Sequence, residues 1–222
     1  MGIFDKLFGI NREIPDSVFS FGDLSATQPA RRGDVRTKKV FIDGNSAWKL
    51  KQRFIAFDVE TTGFSPKTDR IIELGAVLFE NRRPAARFST LVNPGRLIPA
   101  PVSAVNHITN GMLRRAPGEA EAFAELTAFL WQVMNGQTFL CAHNAGFDCG
   151  FLSETLSRLG YDADIRYIDT LVLSRVYLKG LPNYRQSTVA RHFSIDTGSE
   201  HRAGDDAEVC GHIMCRLIDL LQ

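Results

Sequence analysis

With 222 residues, 44% hydrophobic and 23% charged, the chain can build one substantial domain and an extension, and its composition excludes a disordered or fibrous protein. No apolar run approaches the ~20 residues that cross a bilayer, and the first ten residues lack the basic start and apolar stretch of a secretory leader, so a cytoplasmic protein is expected. The net charge of +1 hides an asymmetry: residues 1–53 hold ten Lys/Arg and six Asp/Glu, residues 54–222 sixteen and nineteen. An acidic main body repels phosphates unless cations offset its carboxylates.

In chain order, residues 1–10 are expected to form a short amphipathic turn with Phe4, Leu7 and Phe8 on one side. Residues 11–30, interrupted by Pro15, Gly22 and Pro29, read as a linker. Arg31 to Lys39 is a basic run with two readings, a solvated tail or an arm that touches phosphate. Residues 1–52 are thus an N-terminal extension, and the main domain takes 53–222. Phe54 to Glu60 reads as a central strand, with Ile55, Phe57 and Val59 on one face and Phe54, Ala56, Asp58 and Glu60 on the other. A turn follows through Gly63 and Pro66. Ile71 to Phe79 and Arg87 to Val92 are the next strands, joined as a hairpin through Asn81, Arg82 and Pro84. Pro94 to Pro101 is irregular.

Gly118 to Met134 is predicted as a helix ended by Gly136, and Thr138 to Ala142 as a short buried strand. Ala145 to Leu159 is a helix stopped by Gly160. Ile165 to Ile168 is a strand, and Asp169 caps a helix starting at Thr170. A loop over residues 179–186 leads to a short helix, Ser187 to His192, and the last helix runs from Ala203 to Leu221. The cysteines (Cys141, Cys149, Cys210, Cys215) form no Cys-x-x-Cys pair and read as reduced, partly buried thiols. The zinc alternative, Cys141 with His143 and Cys149, has a spacing that fits no common zinc pattern.

The acidic residues carry the chemistry. Asp58 and Glu60 share a strand face with Cα atoms roughly 6–7 Å apart. Like charges there are costly unless a cation lies between them, although exposed strand-end acids facing water would fit this stretch as well. Asp148 falls on the helical stripe Asp148, Phe151, Leu152, Thr155 and Leu159, which should be buried. Asp206 lies on the stripe of Ala203, Cys210, Ile213, Leu217 and Leu220, and His201 precedes it by five positions. Singly, Asp148 and Asp206 also read as helix-start acids and His201 as a surface loop residue. Together, four convergent acids and one His suit phosphodiester hydrolysis, with two metal ions about 4 Å apart at the scissile phosphate and the His as general base.

Three motifs in order resemble the DEDDh (DnaQ-like) 3′–5′ exonucleases, the family of the epsilon proofreading subunit of bacterial DNA polymerase III. They are Phe57-Asp58-Val59-Glu60-Thr61-Thr62-Gly63, His143-Asn144-Ala145-Gly146-Phe147-Asp148 and His201-Arg202-Ala203-Gly204-Asp205-Asp206-Ala207. The resemblance covers residues 53–222. It implies an α/β, RNase H-like fold with a five-stranded mixed sheet flanked by helices. It further implies that Asp58, Glu60, Asp148 and Asp206 hold two Mg²⁺ or Mn²⁺ ions, and that His201 is the general base releasing nucleoside 5′-monophosphates. Asp206, not Asp205, keeps the family spacing. Thr61, Thr62, Gly63, Asn144 and Phe147 are implied substrate contacts. Asn106-His107-Ile108-Thr109 resembles the family's His-Gly-Ile-Thr segment, with His107 where Gly is usual; a polar loop is the other reading.

The chain ends at its last predicted helix. A free-standing exonuclease, or one with a protein partner bound through residues 1–52, is therefore expected over a replicative proofreader. The substrate expectation is single-stranded 3′ ends, DNA favoured, and a homodimer is compatible with the family. Two rivals stay open: an exoribonuclease trimming RNA or short oligomers, and a catalytically silent nucleic-acid-binding or scaffold module.

Overall fold

The computed structural model describes residues 31–198 and 201–220. The turn expected over residues 1–10 and the linker expected over 11–30 lie outside the described residues. Six strands among the described residues, β1 Val35–Lys39, β2 Arg53–Thr61, β3 Ile71–Glu80, β4 Arg83–Leu91, β5 Leu140–Ala142 and β6 Ala163–Asp169, form one mixed sheet in the order β1-β6-β5-β2-β3-β4. The helices are α1 Gly44–Gln52, α2 Ala100–Asn106, α3 Asn110–Leu113, α4 Glu119–Phe129, α5 Trp131–Met134, α6 Ala145–Arg158, α7 Thr170–Tyr177, α8 Gln186–His192 and α9 Ala203–Asp219.

β2 lies inside the sheet, antiparallel to β3 and parallel to β5. Its two apolar faces enter two cores. Ile55, Phe57 and Val59 pack with Phe123, Leu126, Phe151 and Leu152 of α4 and α6. Phe54 and Ala56 pack with Leu50 of α1 and with Ala207, Met214 and Ile218 of α9. A third cluster joins Val189 and Ala190 of α8 to Val209, Ile213 and Leu217 of α9. α9 lies almost on the backbone of β3. A Cβ on Gly75 would come within 2.0 Å of the Ala203 carbonyl, and one on Gly211 within 2.0 Å of the Phe79 ring. Glycine at both positions therefore sets how closely the helix that carries Asp206 sits to the sheet.

The mixed α/β fold is as expected, but the strand count is corrected from five to six. Residues 35–39, read as tail or arm, pair parallel with β6 from Val35↔Ala163 to Lys39↔Tyr167. Arg36, Thr37 and Lys38 are all exposed. Charged edge strands discourage further pairing and carry no apolar alternation by which to be read. Three of the basic residues hold acids of the domain: Arg31 pairs with Asp162 at 3.2 Å, Arg32 with Glu154 at 2.7 Å and Lys39 with Asp169 at 3.4 Å.

The hairpin extends further back than expected. Asn81 and Arg82 both take positive φ (48° and 68°), as a tight two-residue turn demands, so β4 starts at Arg83. Pro84 is tolerated because β4 is an edge strand. The helix expected over Gly118 to Met134 is two, broken at Leu130 (φ −89°, ψ 8°). α2 and α3 lie beyond an irregular stretch whose prolines read as breakers, yet Pro101 sits in the first turn of α2, where its missing N–H costs nothing. All four cysteines are buried and unpaired with one another. No described helix is long and apolar enough to cross a membrane.

Candidate active site

Asp58 and Glu60 emerge from the C-terminal end of β2, each half-buried. Asp148, 3% exposed, comes from the first turn of α6, where its Oδ1 accepts the Val59 N–H at 3.3 Å. Asp206 comes from the first turn of α9, and His201 from the loop before it. These five residues line one cleft of about 370 Å³ with His143, Asn144 and Phe147. Ligand atoms of Glu60, His201 and Asp206 all lie within 4.8 Å of one another. A larger hollow of about 440 Å³ opens across the 194–198 loop and holds none of the expected site residues.

Local bonding fixes Glu60 and Asp206 as Val59 fixes Asp148. Asn106 Nδ2 donates to Glu60 Oε2 at 3.2 Å. Asp206 is held at both oxygens: Gln186 Nε2 donates to Oδ1 at 3.1 Å and the His201 amide to Oδ2 at 2.9 Å. His201 takes a left-handed backbone (φ 65°), which costs a non-glycine residue about 1 kcal/mol. Asn144, at φ 68°, takes the same conformation more readily. Its amide donates to Asp169 Oδ1 at 3.2 Å, and that carboxylate also accepts the Leu171 and Val172 amides at the start of α7. The His143 ring bonds at both nitrogens, Nε2 to the Tyr184 carbonyl at 2.8 Å and Nδ1 to Thr170 Oγ1 at 3.0 Å. Burial holds its pKa below the usual value. The neutral ring therefore donates from Nε2 and accepts at Nδ1, and it acts as a brace between β5, α7 and the 179–185 loop.

Glu73 was not singled out by the sequence. It pairs with Glu60 across β2 and β3, is 1% exposed, and grips the segment that carries His201. Its carboxylate accepts Arg202 Nε at 3.0 Å and Nη2 at 2.7 Å, and the Ala203 amide at 3.1 Å. α9 has no side-chain cap of its own, so Glu73 supplies the missing acceptor from the neighbouring strand.

Metal-free, the cluster resists ionisation. Burial, then the charges of Asp148, Asp206 and Glu60, drive Asp58 well above the usual carboxylate range. Burial lifts Glu60 to about 7, against the opposing bond from Asn106. Asp148 rises to about 8, again chiefly through burial, although two backbone N–H groups favour its charged form. Asp58 forms no hydrogen bond or ion pair among the described residues. Hard oxygen donors with one imidazole, buried and repelling one another, fit a divalent metal ion.

The other expected contacts lie apart from this wall. Thr61 and Thr62 are buried and brace the turn: Thr61 Oγ1 donates to the Gly63 carbonyl at 2.6 Å, and the Thr62 amide is already used by the Arg70 carbonyl at 2.8 Å. Gly63 packs against the Asp69 carboxylate. His107 is exposed at the C-terminus of α2 with φ 58°, a conformation that suits glycine and accounts for the glycine usual there. Its neighbour Asn106 is the residue that reaches the site. Gln186 and Arg185 also line the cleft; their loop carried no pattern by which to find them. Glu73 did leave a signal, one acid inside the apolar run Ile71 to Phe79.

A family model described as Exonuclease (RNase_T) matches residues 55–214. The DNA polymerase III subunit epsilon of Treponema pallidum (strain Nichols) is 40% identical over 168 residues, 74% of this chain and 76% of that protein. The 3′-5′ exonuclease DinG of Bacillus subtilis (strain 168) is 36% identical over 78% of this chain, but the match spans 18% of that much longer protein. Among solved structures, exonuclease X in complex with 5′ overhanging duplex DNA superposes with a TM-score of 0.58 at 22% identity, over 76% of this chain and 91% of that one. E. coli exonuclease I in complex with a dT13 oligonucleotide gives 0.65 at 19% identity, over 74% and 40%. At those identities the two structures speak to the fold.

Proposed function

The chain belongs to the RNase_T exonuclease family and is a 3′–5′ exonuclease by class, and from that premise we propose that it removes nucleoside 5′-monophosphates from single-stranded 3′ ends. DNA is the favoured polymer, two Mg²⁺ or Mn²⁺ ions are the cofactors, and His201 is the general base. The observation that carries this reading is the convergence of Asp58, Glu60, Asp148, Asp206 and His201 on one cleft. DNA is favoured because the similar proteins are a DNA polymerase subunit and exonucleases solved with duplex DNA and dT13. The exonuclease domain takes residues 53–222, with residues 31–52 adding β1 and α1 to its layers, and the protein works in the cytoplasm.

When bound, the divalent ions supply Lewis-acid stabilisation of the phosphoryl charge and a more acidic water. The rest is done by the chain. Asn106 bonds one oxygen of Glu60 and leaves the second for the ions, while Val59 bonds Asp148 and fixes its carboxylate in the cleft. Gln186 and the His201 amide hold Asp206 from two directions, so its carboxylate cannot swing away. His201 stands exposed at the rim, with its ring free to take the proton of the attacking water and pass it to solvent. Phe147, on the cleft wall, offers an apolar face to a terminal base.

Digestion of 5′-labelled single-stranded DNA and RNA oligomers tests the reading. With Mg²⁺ or Mn²⁺ we expect a ladder that shortens from the 3′ end, faster on DNA and absent with EDTA or in Asp206→Ala. A faster ladder on RNA would reassign the substrate. No cleavage of either polymer by folded, metal-loaded protein would overturn the activity.

A further inference from the structure

Among the described residues, the cleft wall carries four carboxylates and one Lys or Arg, Arg185. We propose that the Arg185 guanidinium clamps a phosphodiester of the bound strand, so that this side chain is a substrate-binding residue. The proposal rests on the exonuclease reading above.

Arg185 is exposed, and its side chain makes no hydrogen bond or ion pair among the described residues. Arg87 is engaged with Asp205 and Glu208, Arg158 with Glu119 and Arg202 with Glu73, and what sets Arg185 apart from the other unpaired arginines is its place on the cleft wall. A guanidinium left without an anion beside a cluster of acids is available to a ligand. Its five N–H donors match two oxygens of a phosphate.

The backbone of Arg185 is fixed while its side chain is not. Its amide donates to Asn183 Oδ1 at 3.0 Å, and its carbonyl accepts the Thr188 and Val189 amides at 3.0 Å. The next residue, Gln186, donates both to the Asp206 carbonyl at 3.0 Å and to Asp206 Oδ1 at 3.1 Å. Arg185 is thereby tied through one peptide unit to an acid of the catalytic cluster. A phosphate gripped by Arg185 is held within one side chain's reach of a fixed point beside Asp206, which helps to position a 3′ end. Because the side chain caps nothing, its removal leaves the start of α8 intact.

The test is steady-state digestion of a dT oligomer between 50 and 200 mM NaCl by wild type, Arg185→Ala and Arg185→Lys. Cleavage by wild type establishes the activity first; its failure strikes the functional reading, not this residue. Given that activity, Arg185→Ala should lower kcat/KM by about 10- to 100-fold, mainly through KM. It should also flatten the slope of log kcat/KM against log salt by about 0.7, one single-strand phosphate contact. Arg185→Lys should keep the wild-type slope and lose less activity, because it keeps the charge and loses the fork. The proposal is overturned if Arg185→Ala matches wild type, or if both variants lose activity with the salt slope unchanged.

Discussion

Replacing Asp148 with asparagine should stabilise the metal-free protein at pH 8. Asp148 is 3% exposed, and its carboxyl is raised from 3.8 to about 8, chiefly by burial. An acid whose pKa is higher folded than unfolded binds more protons in the folded state. Its stabilising contribution is therefore complete below pH ~4 and is lost as pH rises through ~8. At 1.36 kcal/mol per pKa unit, the rise corresponds to at most about 6 kcal/mol between the protonated and ionised forms. The carboxamide introduced by Asp148→Asn keeps an oxygen for the Val59 N–H but adds an NH₂ with no assured acceptor, a cost of about 1–3 kcal/mol. With the acid half-ionised at pH 8, about 5 kcal/mol of this applies, and the expected balance is a gain of about 2–4 kcal/mol, or very roughly 4–16 °C in melting temperature for a domain this size. At pH 5, where Asp148 is already protonated, the variant should match wild type or fall slightly below it. Manganese reverses the order: wild type gains from binding and Asp148→Asn does not. Thermal unfolding at pH 5 and pH 8, in EDTA and in Mn²⁺, reads all four conditions. A variant that melts below wild type in EDTA at pH 8, or gains as much from Mn²⁺, refutes the reasoning.

Glu73→Gln keeps an acceptor for the Ala203 amide and loses the Arg202 ion pair. Because the Arg202 side chain is 46% exposed, the stability loss should stay near 1–2 kcal/mol by urea unfolding. Activity should fall by about tenfold or more as the His201 segment loosens; a wild-type kcat would contradict the positioning role. Lys39→Ala removes a partner of Asp169, whose side chain is 7% exposed, and should cost about 0.5–1 kcal/mol of stability while leaving the salt slope of kcat/KM unchanged. A flattened slope would show β1 contacting phosphate after all.

What the sequence disclosed and what it withheld divide along physical lines. β2 was legible because burial on both faces imposes a continuous apolar run, and the two cores take the two faces in the predicted alternation. Asp148 and Asp206 were legible because each interrupts an apolar helical stripe. β1 was not, since an exposed edge strand needs no apolar period and its charges resemble a tail. α2 was hidden behind prolines that serve at its start. The partners that brace the site were harder still, even where, as at Glu73, a lone acid in an apolar run marks the position. Asn106, Gln186 and Glu73 reach Glu60, Asp206 and Arg202 from 46, 20 and 129 positions away. No local period encodes such contacts. His107, the position that the family resemblance marks, lies one residue from Asn106, whose side chain makes the contact.

The most direct test of the metal centre is calorimetric titration of the metal-free protein with Mn²⁺ at pH 7.5, in two buffers of different ionisation enthalpy. Glu60 and Asp148, raised to about 7 and about 8, with Asp58 raised as well, must shed protons when a cation enters. The account predicts two Mn²⁺ per chain with net proton release, both lost or sharply reduced in Asp148→Asn. Absence of binding, or binding without proton release, would contradict it.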